Sequence, residues 1–116
     1  MITEKGTLVV GVEYEGKVHK EFELRPQLVR DSVEALEGEH AERAKNNDSF
    51  FGVCLLTKQT VKIGDIPKEH ITPVLIMSLT EIDFQIVSRA REALEKRLRS
   101  FRSETEKPQK ANTGTP

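Results

Sequence analysis

A chain of 116 residues with 36% apolar and 32% charged side chains can build one small domain around a modest core. Its 18 basic and 19 acidic residues nearly cancel, which excludes a global field for capturing nucleic acid. Cys54 is the one cysteine, so no internal disulfide framework can form, a pattern suited to a reducing cytosol.

Met1 to Lys5 carries no basic region leading into a long apolar run, and no stretch approaches the roughly 18 apolar residues of a membrane span. A soluble protein, neither secreted nor membrane-spanning, is expected. Thr7 to Tyr14 alternates, with Leu8, Val10, Val12 and Tyr14 expected on one side of a strand. Lys17 to Leu24 repeats the period through Val18, Phe22 and Leu24. Glu15-Gly16 between them offers a Gly for positive φ, so the two strands form a β-hairpin. An isolated hairpin is marginal in water, so this one must pack on helices or pair with another chain.

Arg25-Pro26 ends the second strand, and Leu28, Val29, Val33 and Leu36 then give a helical stripe that stops near Gly38. Glu39 to Asp48 is charged and is expected to be a loop or a frayed helical turn. Ser49 to Ile63 is ambiguous from its residues. Its β-branched and aromatic content favours strand, whereas Phe50, Cys54 and Lys58, with Phe51, Leu55 and Gln59, recur at helical spacing behind Ser49 as a cap. Cys54, inside the apolar run Phe50 to Leu56, is expected to be a buried small hydrophobe.

Gly64-Asp65-Ile66-Pro67 is expected to be a loop. Thr72-Pro73 and Thr80-Glu81-Ile82-Asp83 each predict a helix start, because a Thr oxygen accepts first-turn N–H groups, Pro73 needs no N–H there, and the dipole favours Asp83. From Glu81 to Arg102 a long amphipathic helix is predicted by Ile82, Ile86, Ala90, Ala93, Leu94, Leu98 and Phe101. Ser103 to Pro116 is almost devoid of apolar residues and is expected to be a disordered tail.

His19, His40 and His70 lie far apart beside Lys or Glu, with no Cys or His at metal-ligand spacing, and are expected at the surface. Gly11, Gly16, Gly52 and Gly64 stand singly, not in a phosphate-cradling group. Neither a metal, a cofactor nor a catalytic set is indicated, and Asp83 is best explained as a first-turn charge. Two candidate surfaces remain. Phe50, Phe51 and Leu55, with Leu75 and Leu79, belong to apolar segments too continuous for one narrow stripe, which suits either central burial or a groove for a hydrophobic partner. Arg89, Arg91, Lys96 and Arg99 form the alternative, a basic helix face able to contact phosphates. The bland explanation is a solvated face near a helix C-terminus, and base-reading Asn or Gln is missing there apart from Gln85.

The order of elements carries a resemblance. Phe22-Glu-Leu-Arg-Pro26 closes a short hairpin; a helix and a charged linker follow. Next come Leu55-Leu-Thr-Lys-Gln59, Ile63-Gly-Asp-Ile-Pro67, Ile71-Thr-Pro with Ile76 and Leu79, and Asp83-Phe84. Over roughly Gly6 to Phe101 this resembles the tail assembly chaperones of long-tailed, Mu-like and P2-like bacteriophages. The resemblance implies an α+β fold, with an N-terminal β-hairpin, a mainly helical remainder over residues 1–102 and a tail over 103–116. It also implies that Ser49 to Lys58 is helical. It further implies a non-enzymatic protein of the host cytoplasm that binds the apolar tape measure protein, keeps it soluble and helps tail tube protein polymerise around it. Some members recruit the tube protein through a frameshifted extended form, and self-association is expected of such a surface. The basic run from Arg89 departs from the pattern.

Overall fold

The computed structural model describes residues 1–110, and the side chains of 1–101. Strands β1 (Glu4–Tyr14) and β2 (Lys17–Leu24) pair antiparallel around Glu15 and Gly16, whose φ angles of 51° and 79° match the right-handed strand twist. Helices α1 (Val29–Glu34), α2 (Ala41–Asn46) and α3 (Asp48–Gln59) follow. The chain then turns directly into β3 (Thr60–Ile63), which pairs antiparallel with β2 to give the sheet order β1-β2-β3. A single 3-10 turn (Lys68–His70) and a short α4 (Pro73–Met77) lead into α5 (Glu81–Lys110), which lies along β1. The architecture is α+β, as expected. The α5 backbone is helical beyond Arg102 to Lys110, and the rest of the expected tail, 111–116, lies outside the described residues.

The main core is the sheet's inner face closed by α3, α4 and α5. Leu8, Phe22, Leu24, Leu56, Ile76 and Leu94 are all buried in it. A second, smaller cluster joins Ala35, Ala44, Phe50 and Cys54 where α1 and α2 meet α3. Cys54 is buried as expected, and that burial pushes its thiol pKa up.

Several local expectations are corrected. Ser49 to Lys58 is helical as expected, within α3, but the segment ends in a strand over Thr60–Ile63. Helix α3 is capped by Asn47, whose side chain accepts the Phe50 N–H at 3.0 Å, and not by Ser49. The last four residues pair as Phe22 with Ile63, Glu23 with Lys62 and Leu24 with Thr60. Opposite charges at Glu23 and Lys62 and two inward apolar or β-branched neighbours favour that pairing, so a contact distant in sequence decides the conformation.

Strict alternation in β1 also fails. Thr7 faces Glu21 and Val12 faces His19, so β1 has extra residues between these pairs and bulges at Val9, Val10 and Gly11. Gly11 has φ of 90°, and a Cβ there would sit 2.6 Å from Val18 Cγ1. The bulge keeps Leu8 and Val12 inside while Val10 is 46% exposed. Val18 is likewise outside, and His19 takes its place in the interior. Gly64 explains why His19 can be there. Its Cα passes so close that a Cβ would lie 2.3 Å from His19 Nδ1, and the same nitrogen accepts the Asp65 N–H at 3.2 Å. With φ of 54° as well, Gly64→Ala is expected to cost about 2 kcal/mol, lowering the thermal midpoint by roughly 8–16 °C. A midpoint within 2 °C or so of wild type, read by circular dichroism, would contradict this.

The α1 stripe faces the wrong way. Val29 is 84% exposed and Val33 52%, while the fully buried residue of the helix is Asp31. Asp31 is turned inward because Arg25 meets it with two hydrogen bonds of 2.9 Å and the Leu28 N–H adds a third of 2.8 Å.

Candidate functional site

Thr72 and Thr80 do start helices. Thr72 Oγ1 accepts the Leu75 N–H, Pro73 follows at the first helical position, and Thr80 Oγ1 accepts the Asp83 N–H at 3.2 Å. Asp83, however, is more than a first-turn charge. It is fully buried, and its carboxylate accepts N–H groups of Val9 at 2.7 Å, Val10 at 3.2 Å and Gly11 at 2.8 Å. The β1 bulge thus makes a concave set of donors that holds the start of α5. No sequence signal marked the bulge except the isolated Gly11.

The apolar candidates separate into two groups. Phe50 is buried in the small cluster, with the Arg43 guanidinium carbon 4.3 Å above its ring; Phe51 and Leu55 are half-buried against the same cluster. Leu75 and Leu79 instead pack half-buried on the main core, and Leu79 lines a small internal void beside Phe22 and Leu24. Of the five, Leu55 opens onto a groove beside α5. This groove, of about 540 Å³, runs between α3 and α5 and is also lined by Gly52, Gln59, Arg91, Leu94 and Leu98.

The basic candidates are also dispersed. Arg89 and Lys96 are exposed, Arg99 lies 3.8 Å from Glu95, and Arg91 lines the groove. Arg97, at the helix's other flank, pairs with Glu4 of β1 and donates to the Thr3 carbonyl just before it. The outer face therefore alternates in sign, with Glu92 and Glu95 among its cations. Of the histidines, His19 is buried and His70 is exposed, its Nδ1 bonded to the Tyr14 hydroxyl. Among the described residues no group of His, Cys, Asp and Glu is arranged to hold a metal ion, and no helix is long and apolar enough to cross a membrane.

Comparison of the chain with known protein families, with curated proteins and with solved structures finds no match.

Proposed function

We propose that this protein is a non-enzymatic tail assembly chaperone acting in the host cytoplasm, where it binds the tape measure protein and keeps its apolar segments soluble until tube subunits enclose them. The observation that supports this reading is the amount of apolar side chain left in water by the helical half. Val29 and Val33 of α1 and Leu36 just beyond it are exposed by 84%, 52% and 38%, and the half-buried Leu55 and Leu98 line the α3–α5 groove. Apolar surface of this kind supports binding of apolar chain by desolvation, at about 25 cal/mol per Å² covered. Recruitment of tube protein, by this form or a frameshifted longer one, and assembly into a homo-oligomer belong to the same reading.

Co-expression with the tape measure protein encoded in the same genome is expected to raise soluble tape measure several-fold, with co-purification that persists from low salt to about 1 M, because desolvation is not screened. Insoluble tape measure at every salt, together with salt-sensitive binding of DNA or RNA, would instead favour the Arg89, Arg91, Lys96 and Arg99 surface.

A further inference from the structure

We draw no further inference here: the strongest candidate, the groove between α3 and α5 lined by Gly52, Leu55 and Arg91, carries nothing because it belongs to the apolar surface already described and nothing in the structure shows what fills it.

Discussion

Asp83→Ala is expected to lower the unfolding free energy by about 3 kcal/mol, and Asp83→Asn by about half as much. The carboxylate holds the N–H groups of Val9, Val10 and Gly11, and each donor left without an acceptor costs about 1–3 kcal/mol, the lower end where water can reach it. Val9 and Val10 have exposed side chains, so partial rehydration is expected and the estimate is kept low. Asparagine supplies one acceptor oxygen but turns an NH₂ toward donors. For a domain of this size about 3 kcal/mol is a large share of total stability. A urea midpoint that falls with unchanged slope would establish it, and a midpoint equal to wild type would refute it. The pH dependence has a definite sign. Burial raises the Asp83 pKa, but the Gly11, Val10 and Val9 N–H groups and the Lys20 charge lower it further, so it lies below the ordinary 3.8. The associated stability is complete above about pH 5 and is lost as pH falls through the unfolded value toward the folded one, so the gap between wild type and Asp83→Asn narrows in acid.

Arg25→Met is expected to cost about 3 kcal/mol, because it strands the buried Asp31 carboxylate. Asp31 is fully buried and Arg25 is its bidentate partner, with the Arg25 side chain 19% exposed. The same guanidinium donates to the Pro26 carbonyl at 2.7 Å, and the Arg25 backbone is tied to Gln59 at the end of α3. Loss of Arg25 therefore loosens the exit of β2 and the placement of α1 together. Arg25→Met combined with Asp31→Leu should recover much of the loss, since an apolar pair of similar volume carries no desolvation cost. A double-mutant cycle with coupling under about 0.5 kcal/mol would show that the pair is not the cause. The Arg25 hydrogen bonds lower the Asp31 pKa against the upward push of burial, so this contribution too is lost only in acid.

Local chemistry was legible where the chain's own neighbours decide it. Glu15-Gly16, Thr72-Pro73 and Thr80 each act within a few residues, and each element forms as expected. What depended on distant partners was not. Thr60 to Ile63 is a strand because β2 offers Phe22, Glu23 and Leu24 as neighbours. The α1 stripe pointed outward because one charged pair, six residues apart in sequence, outweighed the helical spacing of Val29 and Val33. His19 went inside because Gly64, on another loop, made room for its ring. The groove was half legible: Leu55 and Arg91 were singled out, but as members of two different surfaces, and only the three-dimensional packing of α3 beside α5 brings them to one groove with Gly52 and Gln59.

The grip of Asp83 on β1 also alters what the edge of the sheet offers to another strand. β1 is a border strand of the sheet, eleven residues long, and such a strand invites another to zip onto it. Here three consecutive donors at its middle are already taken by the carboxylate, and the bulge breaks the flat run that a second strand would follow. The opposite border, β3, has four residues and offers little length for templating. Growth by sheet extension, the route to fibrils and swapped strands, is thereby blocked on one side and short on the other.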